Sequence, residues 1–424
     1  MRNARRVLLI VAWTAMAVLC FLDLDTPGDY TGFVAFGRAV NDGVLVYAPD
    51  AQARYLDAGG QHWATWPPGF APLASVLARF DAVAHAPAVI LFQLLNLAAL
   101  AMTAFVAAEW LTGRRPGAPE PERRLAWDAP VIAVAILVPI RLVVSNFEHA
   151  QVNLLVLGLV LLGFRMVERR PASGGLLFGL GSALKATPIL LLPWLVWRRR
   201  WRALGAALLG VLFAWLVLPA AVLGFEQVLP WWRAWLEALP LAGAQENWMN
   251  QSLRSIAVLR LGPETGLRVW VAGTAALALA ILVAFGRPFL DVGRRRAGAE
   301  VAVLLVAITV VSPVAWKAHY ATLVPLAATV FVLAHRAGGV RGRLGLGVLG
   351  VTAAGINLTS SDLVGRSAAV FLQERGVVLW AALLLLATAL TLLSAAEEGT
   401  GARSGARDPG AAAEGAPTSR TRIP

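Results

Sequence analysis

An acid, a lysine and a histidine are the groups in this chain best placed to do chemistry. Asp29 opens the stretch Asp29-Tyr30-Thr31-Gly32-Phe33-Val34-Ala35-Phe36-Gly37-Arg38-Ala39-Val40, just past the first apolar run. A carboxylate there can act as a general base on a hydroxyl, a task worth about 10²–10⁴-fold in rate. The competing reading is local: Pro27-Gly28-Asp29 has turn chemistry, and Asp caps helix N-termini well. Lys185 sits in Leu184-Lys185-Ala186-Thr187-Pro188 with apolar residues on both sides. An ammonium at mid-membrane depth costs about 2.5–3.5 kcal/mol on insertion scales, so it marks a partner or substrate charge unless it snorkels to an interface. His319 shares the segment Ser312–Tyr320 with Lys317, and Arg254 ends Asn250-Gln251-Ser252-Leu253-Arg254. A guanidinium there suits an oxyanion such as phosphate, and a solvated loop arginine is the alternative. Glu148-His149-Ala150-Gln151-Val152-Asn153 is a second polar turn, and Tyr47 precedes an aromatic and proline corner at Trp66–Pro72. Asp23-Leu24-Asp25 has metal-binding spacing but no third ligand nearby, so neither a metal nor a cofactor is expected. A single cysteine, Cys20, excludes a disulfide framework.

The elements that must position these groups are membrane helices. Hydrophobic residues make up 58% and charged residues 15%, where soluble chains carry about a quarter charged. The net charge of +12 falls in short clusters between apolar runs, the pattern of cytoplasmic loops and not of a nucleic-acid surface. Apolar runs lie at 7–22, 87–111, 128–144, 151–167, 203–224, 266–286, 299–315, 320–335, 344–358 and 376–395. The first is read as an uncleaved anchor, because no small-x-small cleavage site precedes Asp23. The arginine clusters at 2–6, 114–124, 169–170, 198–202, 294–296 and 336–343 share one face only if 173–197 enters and returns to it, as two half-helices meeting near Lys185. The reading is therefore an all-α polytopic protein with about 11 membrane segments and both termini cytoplasmic. Segments 23–86, 145–150, 225–265, 312–319 and 359–375 fall outside. The first and third are long enough for interfacial helices, and Trp231, Trp232 and Trp235 suit one at headgroup level. Residues 1–396 form the membrane domain and the Gly/Ala/Arg/Ser-rich 397–424 a disordered tail.

In order along 7–335, these pieces resemble glycosyltransferase family 87, the polyprenol-phosphate-mannose-dependent α-mannosyltransferases of the GT-C superfamily. Asp29–Val40 with Gly43 and Tyr47 resembles the family's first-loop motif, and Trp66–Pro72 its aromatic-Pro-Pro re-entry. Gln151-Val152-Asn153 resembles Gly-Gln-x-Asn with Ala150 in place of Gly. Lys185–Pro188 followed by Trp197–Trp201 resembles the Lys-x-x-Pro and basic-Trp signature, and Asn250–Leu253 is the Asn-Gln-Ser-Leu element. Ser312-Pro313 to Trp316 with His319 keeps one histidine of Ser-Pro-x-x-Trp-x-His-His. The resemblance implies a GT-C fold in the bacterial cytoplasmic membrane. It also implies metal-independent, inverting transfer of a hexose, mannose by analogy, from a polyprenyl-phosphate donor to a glycolipid or glycan acceptor at the outer face. Asp29 would be the base. Lys185, Arg254, His319, Asn250, Gln251, Gln151, Asn153 and Tyr47 would bind substrate. A flippase for a lipid-linked sugar, and arabinofuranosyl or aminosugar transferases of the same superfamily, are the competing readings.

Overall fold

A computed structural model describes residues 28–55, 66–112, 121–167, 169–243, 247–290 and 292–405. The first apolar run, Cys20, Asp23 and Asp25 lie outside the described residues, as does the tail from 406 onward. Every regular element described is helical. Those that matter to the site are α1 (Asp29–Asn41), α2 (Ala71–Val83), α3 (His85–Thr112), α4 (Pro121–Leu137), α5 (Ile140–Glu148), α6 (Asn153–Met166) and α7 (Pro171–Leu184). They continue with α8 (Leu192–Trp197), α9 (Trp201–Leu212), α10 (Phe225–Gly243), α11 (Leu253–Leu261), α12 (Pro263–Phe285), α13 (Arg294–Val311) and α14 (Leu323–Ala337). The last helix, Val377–Gly405, runs past residue 396.

Among the described residues five helices are long and apolar enough to cross a membrane: His85–Thr112, Trp201–Leu223, Pro263–Phe285, Lys317–Ala337 and Val377–Ala395. The pair Ala129–Leu137 and Ile140–Glu148, bent by 62°, makes a sixth if the two count as one span. Pro139, which caps α5 and cannot donate to the helix ladder, sits at that bend. The expected eleven spans are therefore not found among the described residues. Two apolar runs, 151–167 and the first half of 173–197, fold as 14-residue helices, each about 21 Å long against a hydrocarbon core of about 30 Å.

The break expected near Lys185 is present. α7 stops at Leu184, Lys185 is extended (φ −153, ψ 129), and a 3₁₀ turn Thr187–Leu191 leads into α8. The neighbours of α7 show that the chain turns back. A Cβ on Gly175 would lie 2.1 Å from the Ala206 carbonyl oxygen, and one on Gly179 would lie 2.1 Å from that of Gly210. Further along, Trp215 Nε1 donates to the Ser182 carbonyl at 3.1 Å. Position along α7 thus rises with position along α9, so the two helices run parallel and the chain between them must return to its starting level. Small residues allow this backbone approach where lipid supplies no hydrophobic drive between helices.

The return is pinned by Arg198, which is buried. Its Nε donates to Glu300 Oε2 at 2.8 Å and its Nη2 to the Phe285 carbonyl at 2.8 Å. Glu300, fully buried on α13, also accepts from Trp194 Nε1 (2.9 Å) and Arg296 Nε (2.9 Å). Within the 198–202 cluster Arg198 is thus set apart, as an interior tie between the hairpin and α12–α13. On α10 the tryptophans face the protein. Trp231 and Trp235 are buried, whereas Phe225, Leu229 and Leu236 point outward.

Candidate active site

Four segments carrying polar groups meet at one cavity of about 390 Å³. Asp29 enters from the first turn of α1, where a carboxylate is favoured by the helix dipole. Its backbone N–H donates to the His149 carbonyl at 2.8 Å. Gly28 makes that approach possible, because it has φ +40 and a Cβ there would lie 2.7 Å from His149 Cα. Behind the acid, Tyr30 donates to the mostly buried Asp81 on α2 (3.1 Å), which also pairs with Arg38 (3.4 Å) and His85 Nδ1 (2.7 Å). Burial, with Asp81 beside it, pushes the Tyr30 phenol above its ordinary range, so it stays protonated as a donor. α1 is antiparallel to α2, and at its far end Ser75 donates to Asn41 at 2.6 Å.

The turn that holds Gly28 also starts α6. Ala150 has φ +42 and is fully buried, in a backbone region that favours glycine. The turn is closed by Asn146 Nδ2, which donates to the Gln151 carbonyl at 3.1 Å. From it runs a polar relay: Asn153 Nδ2 donates to Gln151 Oε1, and Asn153 Oδ1 accepts from Lys185 Nζ at 2.8 Å. The half-helix break brings Lys185 to this relay, on the same cavity as Asp29.

The fourth segment, Ser312–His319, is clamped from α11's N-terminal side. Asn250 Nδ2 donates to the Pro313 carbonyl (3.1 Å) and its Oδ1 accepts from Ala315 N–H (2.9 Å). Gln251 N–H donates to the Ala315 carbonyl (2.8 Å), and Tyr320 OH donates to the Gln251 carbonyl (2.7 Å). Held this way, His319 lines the cavity with Nδ1 accepting from Trp316 N–H at 3.3 Å, which leaves the ring proton on Nε2. Below, a space of about 60 Å³ between α6 and α13 shares Asn153, Lys185, Thr187 and His319 with the main cavity.

The expected substrate-binding set therefore divides. Asp29, Gln151, Asn153, Lys185 and His319 line the cavity. Asn250 and Gln251 are fully buried and act one layer back, as the clamp on 312–316. Tyr47 is buried and donates to the Trp66 carbonyl at 2.8 Å, orienting a cavity residue instead of forming its wall. Arg254 is not among the lining residues.

The residues missed are mainly the aromatic wall. Phe33, Trp215 and Trp235 line the cavity with Trp66, and Leu190 and Leu239, 59% and 40% exposed, carry its apolar side to the protein surface. Trp215 is held by a local fault in its own helix. Pro219 has no N–H to give the Trp215 carbonyl, which accepts instead from Trp232 Nε1 at 2.8 Å, with the two rings stacked at 4.3 Å. Nothing in the sequence sets Trp215 apart from ordinary span tryptophans. Thr187 and Ser312, which also line the cavity, lie inside motifs that were recognised. Among the described residues no group of His, Cys, Asp and Glu could hold a metal ion, and the Asp23/Asp25 pair lies outside them.

A family model described as glycosyltransferase family 87 matches residues 64–313. A polyprenol-phosphate-mannose-dependent alpha-(1-2)-phosphatidylinositol mannoside mannosyltransferase of Mycobacterium tuberculosis is 33% identical over 285 residues, 64% of this chain and 62% of the relative. A protein of the same description from Mycolicibacterium smegmatis is 32% identical over 252 residues, 56% of this chain and 53% of the relative. The chain thus spans less than two thirds of either relative's length. No solved structure matches.

Proposed function

The chain belongs to glycosyltransferase family 87, and from that premise we propose that it transfers a hexose from a polyprenyl-phosphate carrier to a glycolipid acceptor by inverting single displacement. The observation that carries this reading is the shared cavity, which brings an acid, a lysine and a histidine beside an apolar, aromatic wall. Asp29 takes the proton from the acceptor hydroxyl as that oxygen attacks the anomeric carbon. The bond that breaks leaves a phosphate, which needs no acid but does need cationic or N–H stabilisation. Lys185, steadied by Asn153, supplies the charge, and His319 supplies an Nε2–H. Arg254, outside the lining, has no part in this step. The polyprenyl chain leaves past Leu190 and Leu239 along the aromatic wall.

The relatives' descriptions support mannose as the sugar and a phosphatidylinositol mannoside as the acceptor class. The proposal includes a site facing outward, about 11 membrane segments counting the short helices, and a membrane domain ending near residue 396. Its test is transfer from polyprenyl-phosphate-[¹⁴C]mannose to phosphatidylinositol mannosides by purified protein in lipid. Asp29→Asn is expected to lower turnover by about 10²–10⁴-fold with donor binding retained. Equal turnover would remove Asp29 as base. Movement of the donor between leaflets without transfer would make the protein a flippase.

A further inference from the structure

Trp215 is fixed in the cavity wall by three separate contacts. Its ring stacks on Trp232, with centroids 4.3 Å apart and planes at 23°. Its Nε1 donates to the Ser182 carbonyl at 3.1 Å, and its own carbonyl accepts from Trp232 Nε1 at 2.8 Å. Trp215 is also the middle residue of a single wide π turn, Phe213–Val217, just ahead of Pro219. Such faults are frequent at functional positions in helices. Trp232 is braced in turn by Trp235, edge-on at 5.2 Å and 88°. Trp215 and Trp235 line the cavity, while Trp232 is not among the lining residues and stands behind them. The cavity thus meets a flat indole whose rear face is covered and whose N–H is already bonded. A ring held this way has little rotamer freedom left to lose when a ligand lies on it, which is what a binding platform requires.

Its position indicates which part of a substrate it meets. Ser182 is on the last turn of α7, just before the break at Lys185, so the indole is tied about 5 Å, one helical turn, from the start of that break. Leu190 and Leu239, both exposed, belong to the same apolar wall. With the donor phosphate at Lys185 and its lipid passing these leucines, the group against Trp215 is the first isoprene unit, the one joined directly to the phosphate. We infer that Trp215 is a platform for that unit and that the site selects carriers in which it is unsaturated. This rests on the reading of the cavity as a polyprenyl-phosphate site. An allylic unit has a planar C=C bond and lies flat on an indole, in an offset stack worth more than its buried area alone. In a carrier saturated at that unit the same carbons are tetrahedral. Hydrogens then stand against the ring and hold the chain off it, and dispersion contacts are lost.

The test uses full-length protein in lipid with two donors, undecaprenyl-phosphate-mannose and its 2,3-dihydro analogue, saturated only in the first unit. Wild type should use the unsaturated donor with a kcat/KM about five-fold higher. Trp215→Leu should bring that ratio close to one. Trp215→Phe, which keeps a flat ring, should retain most of it. Both variants give up the Nε1 bond to Ser182, so the difference between them reports the ring face and not the fold. Native mass spectrometry of the protein in nanodiscs, titrated with undecaprenyl phosphate or 2,3-dihydroundecaprenyl phosphate, should show the same preference in binding, whether or not sugar is transferred. Discrimination in binding without transfer would therefore sink the catalytic reading and leave the platform standing. Equal use and equal binding of the two lipids by wild type would overturn the inference. So would a loss in Trp215→Leu that is the same for both donors, which would put the ring against the sugar or in the fold.

Discussion

Lys185 illustrates how one residue is made useful by its neighbours. An ammonium in an apolar run is costly, and here its hydrogen-bond partner Asn153 is itself held by Gln151 on the turn that also receives Asp29. Lys185→Gln is expected to lower turnover by about 10²–10³-fold, since one preorganised electrostatic contact is lost at the leaving phosphate. Lys185→Arg should recover part of that loss if charge is what matters. Equal activity of the glutamine variant in the radiolabelled transfer assay would remove Lys185 from the reaction. His319 differs in kind: with Nδ1 accepting from Trp316, it is built as a neutral donor.

At the scale of elements, two joints hold the site together. The first is the packing of Gly28 on His149. Gly28→Ala places a methyl 2.7 Å from His149 Cα at a φ of +40, so the N-terminus of α1 must shift. Turnover should fall at least about ten-fold, because small misplacements of catalytic groups are expensive. The α1–α2 contacts, including Tyr30 with Asp81, should keep the melting temperature within a few degrees. A large drop in melting with normal residual kinetics would show that Gly28 serves the fold and not the acid. The second joint is Arg198 with Glu300. Arg198→Ala leaves a buried carboxylate with one fewer cation and is expected to cost about 3–5 kcal/mol, read as a lower melting temperature in detergent. An unchanged melting temperature would mean that the hairpin is held by helix packing alone.

For the whole molecule, the proposed outward-facing site and the arginine clusters predict opposite membrane faces for Pro313 and Arg199. With Cys20 replaced by Ser, single cysteines at Pro313 and at Arg199 should react with an impermeant maleimide from opposite sides of sealed cells, Pro313 from outside. Labelling of both from one side would invalidate the sidedness drawn from the arginine clusters.

Much of the site was legible in the sequence because its signals are chemically conspicuous. A lysine and a proline inside an apolar run announce a broken helix, and Asp29, Gln151, Asn153 and His319 stand in ordered polar motifs. Charge patterning also predicted the return of 173–197, which the parallel course of α7 and α9 bears out. What composition and spacing could not reveal depends on contacts between segments far apart in the chain. Arg198 looks like its arginine neighbours until Glu300, 102 positions away, meets it. Trp215 looks like any span tryptophan until Pro219 frees its carbonyl for Trp232. Tyr47, Asn250 and Gln251 carry recognisable motifs, but only tertiary packing decided that they hold the cavity's walls from behind. The sequence by itself determined a helical membrane chain, its family and its central acid and lysine, since residue type and local spacing suffice for those. The cavity and its aromatic side were decided by tertiary structure alone, because they are made of side chains that no local pattern brings together.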